Sequence, residues 1–335
     1  MKKSLLLLLI VFAIACKSKK PIPDVSAIKI NLKVERFEKD FFAIDTNQVS
    51  ASLDRLNEKY PSFLKDYLYN ILAALPQPDS VVRYVKLYKK DYQYINDTAQ
   101  KIFPSFDPYK KEIERGFQFV HYYFPAYKLP TTLITFIGPL EGTANAITAS
   151  GIAIGLQSYL GKNFLAYQSS YISEVYPAYK SRRFEPGYIS VNCIKNIIDD
   201  LYPSKMAGRP LIEQMVEAGK RLYLLDALLP EIADSLKTGY TQAQLEGCYS
   251  NEKNIWAFFV ENNLLYETES SVIGPYVNDG PNTPELGTAS PGFIGQFIGW
   301  GIVKSWMERN PTTSLSNLMN TNPKLLFDAS KYHPH

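Results

Sequence analysis

Cys16 stands directly after Ala13-Ile14-Ala15, and a thiol in that setting is a target for acylation rather than a nucleophile. Lys2 and Lys3 form a positive start, and Leu5 to Ala15 is an apolar run too short for a permanent membrane span, so the leader has the form of a lipoprotein signal peptide. The remaining chemistry-bearing groups are sparse. Cys193 and Cys248 are the other two cysteines, and the three histidines are His121, His333 and His335. Glu213 and Glu217 lie one helical turn apart, a spacing that serves acid–base work, cation binding or merely a solvated helix face. No Gly-x-Ser-x-Gly elbow, Cys-x-x-Cys pair or His-x-x-x-His spacing occurs, which leaves the common serine-hydrolase and zinc patterns unsupported.

Cleavage before Cys16 removes fifteen residues and leaves 320, enough to bury a sizeable core. Lys2 and Lys3 leave with the signal, so the 36 basic side chains fall to 34 against 33 acidic ones. Such a balance offers no electrostatic footprint for nucleic acid. Several acyl chains on Cys16, palmitate among them, would anchor the chain firmly. Lys17 to Pro23 then forms a short basic, proline-stiffened tether. The expected division is a signal peptide at 1–15, a lipidated N-terminus and tether at 16–26, and a single globular domain at 27–335. No later segment is long and apolar enough to span a bilayer. Cys193 and Cys248 either pair in an oxidising compartment or remain buried thiols.

The elements that must position these groups are mostly helical. Ile28 to Phe37 alternates apolar and polar residues and predicts a half-buried strand. Asp45 with Gln48 suggests a cap for a helix closed by Pro61. Phe63 to Tyr123 is helical in pattern, interrupted at Leu75-Pro76-Gln77-Pro78 and between Phe103 and Pro108. Thr131 to Ile137 and Gly151 to Leu160 predict strands of a two-to-four-stranded sheet. Tyr188 to Tyr202 is expected to be a helix. Leu211, Met215, Ala218, Leu222, Leu225 and Leu229 form a helical stripe ended by Pro230. Thr241 with Gln244 has the form of a capping box, and Ser290-Pro291 is the expected start of a last long helix. Its glycines, Gly292, Gly295, Gly299 and Gly301, follow no strand and precede no Lys-Ser/Thr. They suit close helix packing better than a phosphate loop. The fold class expected is α+β, predominantly helical with a small central sheet.

The longest distinctive segments lie in the second half. They are Gly155-Leu156-Gln157-Ser158-Tyr159-Leu160-Gly161, Met215 to Tyr223, Cys248-Tyr249-Ser250-Asn251-Glu252, Ile255 to Asn262, Pro291 to Gly295, and Gly299 to Val303. With the lipobox and Phe37-Glu38-Lys39-Asp40-Phe41-Phe42, and in this order over nearly the whole mature chain, they resemble the GldB family of gliding motility lipoproteins of Bacteroidetes. The same segments distantly resemble gluzincin metallopeptidases, in which a helix bearing His-Glu-x-x-His lies beside an edge strand and a later helix supplies a glutamate. On that likeness Asn192, Cys193 and Asn196 occupy the motif positions, and Ala218 stands where the glutamate before Gly219 would be, with Glu217 one residue early. Neither asparagine replaces an imidazole, and a thiol does not replace the carboxylate base. The resemblance therefore implies a peptidase-like scaffold without its metal motif. Asn192, Cys193, Asn196, Glu213 and Glu217 would line a vestigial cleft.

The expectation is a non-enzymatic envelope lipoprotein that serves gliding motility as a scaffold or accessory factor of the gliding and protein-export machinery. It takes no metal or cofactor, and its partners are the membrane, through Cys16, and proteins of that machinery. The alternative is an envelope hydrolase, either a divergent metallopeptidase or a thiol enzyme using Cys193. Lys17 after the anchor, and a tether without an acidic cluster, favour a periplasm-facing location, with the outer membrane ahead of the inner.

Overall fold

The computed structural model describes residues 22–334; the signal peptide, Cys16 and most of the tether lie outside them. A four-stranded sheet runs in the order β1-β2-β4-β3, with β1 at Lys33–Arg36, β2 at Thr132–Phe136, β3 at Asn145–Thr148 and β4 at Gly151–Gly155. β1 and β2 pair in parallel, as do β2 and β4, whereas β3 pairs antiparallel with β4. The two inner strands are buried along nearly their whole length. That explains their continuous apolar sequences, because a strand covered on both faces has no need to alternate. Expected strand limits contract: the first strand occupies only the end of Ile28–Phe37. The run from Gly151 leaves the sheet at a 3₁₀ turn, Leu156–Ser158.

β3 carries no sequence signal of its own. Asn145-Ala146-Ile147-Thr148 is short and half polar, and it becomes a strand because β4 offers it an edge. Gly151, at φ 137°, starts β4 against the Thr132 backbone, where a side chain would collide with the Thr132 carbonyl. Between β1 and β2 the chain is helical, with long helices at Pro78–Ile102 and Asp107–Tyr123 separated at the prolines. Tyr67 and Tyr88 both donate their hydroxyls to the Ile137 carbonyl, at 2.7 and 3.1 Å, and so fasten this helical layer to the end of β2.

The second half is built around two helices, Leu211–Leu228 and Ile294–Arg309. The predicted apolar stripe of the first is buried at Leu211, Met215, Ala218, Leu222 and Leu225. Gly219 and Gly299 meet face to face. A Cβ on Gly219 would fall inside the Gly299 backbone, and one on Gly299 would fall on the Met215 carbonyl. Small residues let the two backbones touch, which is the packing role expected of these glycines. The capping box also forms: the Thr241 hydroxyl accepts from Gln244 N and the Gln244 amide accepts from Thr241 N, both at 3.1 Å.

Two helix starts differ from expectation. Asp45 accepts from Asn47 N at 2.8 Å in a local turn, and the helix begins four residues on, at Val49. Pro291 and Gly292 do not open a helix. The Pro291 carbonyl accepts from Thr283 Oγ1 at 2.8 Å and Gly292 lies on the Gly280 backbone. The chain then turns through a left-handed Phe293, φ 55°, before Ile294. The helix that starts there is the last long one among the described residues, followed by the short helices Leu315–Asn320 and Pro323–Ser330. Cys193 and Cys248 are free, buried thiols.

Gly299→Ala should destabilise the chain by about 3 kcal/mol or more, because the helix pair cannot separate without reopening the core. Gly247→Ala, on an exposed helix face with nothing within 4 Å, should instead gain up to about 1 kcal/mol. Denaturant midpoints of the two variants check the contrast, and equal midpoints would contradict the close approach.

Candidate functional site

The end of β4, the edge strand β3 and the helix Ile189–Leu201 converge on one polar network. The 3₁₀ turn after β4 brings the Tyr159 hydroxyl under β3, where it donates to Asn145 Oδ1 at 2.8 Å. Asn192 Nδ2 donates to the same Tyr159 oxygen at 2.9 Å, and Asn145 Nδ2 reaches Cys193 Sγ at 3.4 Å. Burial pushes the Cys193 thiol up to about 12, only slightly offset by the Asn145 contact, and raises the Tyr159 hydroxyl well above its ordinary value. Both groups are therefore protonated at neutral pH. The network positions Asn192 at the wall of a cavity of about 220 Å³.

That cavity has an unusual wall. Lys180, Arg183 and Lys195 all face it, and among the described residues no carboxylate lines it. Arg183 pairs with Asp279 outside. Lys195 has neither a hydrogen-bond nor an ion-pair partner among the described residues, and Lys180 has only the ring of neighbouring Tyr179, 5.8 Å away. Burial, and then the like charge of Arg183, bring Lys195 down to about 8. Lys195 also stands in the wall of a second cavity of about 230 Å³, which is mainly apolar through Ile198, Ala218, Leu222, Leu225 and Phe293. There Arg221 is neutralised by Asp199 at 2.5 Å.

Of the five residues singled out from the sequence, only Asn192 lines either of these two cavities. Asn192 lines the first cavity, and Cys193 lies behind it in the core. Asn196 is half-buried, with its Oδ1 buried and unpartnered. Glu213 and Glu217 line neither cavity. They lie 3.8 and 3.9 Å from Arg209, and Glu217 accepts from Lys220 Nζ at 3.0 Å. Lys220 is fully buried and donates to the Thr321 carbonyl at 2.5 Å, so this cluster ties the 211–228 helix to the C-terminal segment. Burial lowers the Lys220 pKa, and Glu217 opposes that shift. Ala218 does face the second cavity while Glu217 turns away, as a rotation of about 100° per residue requires. His121 is exposed on its helix. Among the described residues no three of His, Cys, Asp and Glu stand close enough to share a metal ion.

Sequence reasoning missed Asn145, Tyr159, Lys180, Arg183 and Lys195. Lys180-Ser181-Arg182-Arg183 was a readable basic cluster, and Lys195 lies inside the quoted Asn192–Asn196 stretch. Neither signalled a cavity, because nothing local brings residue 180 to residue 195.

Fold and site together define a mostly helical α+β protein whose sheet edge and helices enclose a donor-rich cavity. The family model described as "Gliding motility protein GldB", a lipoprotein family, matches residues 18–334, and the chain belongs to that family. No curated protein and no solved structure matches it.

Neither buried thiol should react with a thiol-specific disulfide reagent in the native state, and both should react on unfolding. Fast native labelling at Cys193 would contradict its burial. Glu217→Gln removes the carboxylate facing buried Lys220 and should destabilise the chain by roughly 3 kcal/mol. Thermal or denaturant unfolding reads this, and Lys220→Met in the same background should recover part of the loss.

Proposed function

We propose that this protein is a lipid-anchored, non-catalytic component of the gliding machinery, held at the periplasmic face of the envelope through Cys16. The observation that carries the reading is the family match over residues 18–334, which makes the chain a gliding motility protein. Among the described residues no helix is long and apolar enough to cross a membrane, and Cys16 at the leader's end supplies the means of attachment. Restricting the domain to one membrane face raises its effective concentration near its partners.

The chemistry at the peptidase-like positions supports a scaffold. Asn192 and Asn196 carry amides, and the thiol between them is protonated and sealed in the core. Cys248 is likewise pushed up to about 12, by burial first and then by Glu252. A thiol nucleophile needs the opposite environment, partly exposed and electropositive. Partner contact falls to exposed aromatic and aliphatic side chains, of which Leu165 (80% exposed), Tyr171 and Val175 lie on one short segment.

Cys16→Ala should release the protein from the membrane fraction and abolish gliding. Retention at the membrane with unaltered gliding would overturn the reading. Cys193→Ser should leave gliding intact wherever the protein accumulates to normal levels, whereas loss of gliding at normal abundance would favour the thiol-enzyme alternative.

A further inference from the structure

The cavity under β3 combines features that the scaffold reading leaves unused. Among the described residues its wall holds three cations and no carboxylate. Lys180 and Lys195 have no ion-pair partner among those residues, with Asp199 and Asp279 acting on Lys195 only at longer range, and the third cation, Arg183, pairs with Asp279 outside the cavity. Like charges gathered at a half-buried wall repel one another, and without an anion between them the arrangement is costly. The hydroxyls of Ser158 and Tyr188 also line the space and have no hydrogen-bond partner within the described chain. The wall is thus rich in donors, while its other faces are aromatic rings, from Tyr159, Tyr176 and Phe184 among others.

We propose that this cavity binds a phosphate monoester, with the phosphoryl group between Lys180, Arg183 and Lys195 and a small organic part against the aromatic wall. Two unpaired ammonium groups match a dianion better than a single carboxylate, and a guanidinium supplies the forked donors that phosphate oxygens accept. A cavity of about 220 Å³ admits a phosphate with a short substituent. The phosphate could be borne by a soluble metabolite or by a lipid headgroup, and the recognition chemistry is shared. Lys195 lies in the walls of both cavities, so a ligand with an apolar extension would find the side chains of Ile198, Leu222 and Leu225 next to the anionic subsite. The inference does not depend on the acylation of Cys16 and goes beyond a scaffold role.

Calorimetric titration of the full-length chain in a non-ionic detergent tests it, with glycerol phosphate as the soluble probe and acetate as the monoanion control. Flotation with phosphatidylcholine vesicles, with and without phosphatidic acid, supplies the lipid arm. One glycerol phosphate should bind per chain, acetate at least about tenfold more weakly. Lys195→Met and Lys180→Gln should each weaken phosphate binding about tenfold or more without lowering the melting temperature. Lys195→Arg, which keeps the charge, should retain most of it. Phosphatidic-acid-dependent flotation that Lys195→Met abolishes, without binding of the soluble probe, would assign the phosphate to a lipid headgroup. Absence of binding in both arms would overturn the proposal, as would equal affinity for acetate or undiminished binding by both lysine variants. None of these outcomes bears on gliding or on the membrane fraction, so failure here is distinguishable from failure of the scaffold reading.

Discussion

The backbone contact between Gly219 and Gly299 sets the geometry of the second half of the molecule. Two helices whose glycines touch have almost no freedom to slide or rotate, since every neighbouring side chain must interdigitate around the point of closest approach. That contact fixes which way the 211–228 helix presents its faces. Ala218, Leu222 and Leu225 turn toward the 189–201 helix and the apolar cavity, while Glu217 and Lys220 turn toward the C-terminal segment. The two sides of one helix thus acquire different work, one enclosing a cavity and the other closing the chain's end onto the core.

The first half obeys a different constraint. A sheet of four short strands whose two inner strands are mainly apolar must be covered on both faces, and both inner strands are buried. Aromatic side chains of the N-terminal helices provide much of that cover. Phe37 packs edge to face on Phe63 at 4.9 Å and on Tyr67 at 4.7 Å, both of which also meet Phe136 of β2, and Tyr67 spends its hydroxyl on Ile137. The many tyrosines of this chain accordingly serve two roles. Some bury a ring and satisfy an interior carbonyl, as Tyr67 and Tyr88 do; others, such as Tyr171 and Tyr266, remain exposed.

Between the halves lies the polar network on β3. Asn145, Tyr159 and Asn192 satisfy one another, and the Cys193 thiol is held protonated behind them. A network of neutral groups with matched donors and acceptors is rigid and chemically quiet. The cationic wall beside it differs, because among the described residues Lys180 and Lys195 have no direct ion pair of the kind that Lys220 and Lys237 make with Glu217 and Asp226. The contrast within one protein distinguishes lysines that tie elements together from lysines that face open space.

The sequence by itself determined whatever rests on local spacing. The Leu211–Leu229 stripe, the Thr241–Gln244 capping box, the helix breaks at prolines and the strands around Leu133 and Ile152 all follow from periodicity or side-chain chemistry within a few residues. The order of distinctive segments was likewise enough to indicate the family. Only the tertiary structure decided the rest. β3 exists because β4 leaves an edge for it, and Phe293 adopts a left-handed turn because Thr283 and Gly280 hold the residues before it. Glu213 and Glu217 gather with Arg209 because the fold brings that side chain beside them, and Glu217 also pairs with buried Lys220. Lys180, Arg183 and Lys195 share a cavity wall although they belong to separate elements. Local sequence carries backbone preference and helical phase; which distant side chains come to face one another is set by packing, and the site depends on that.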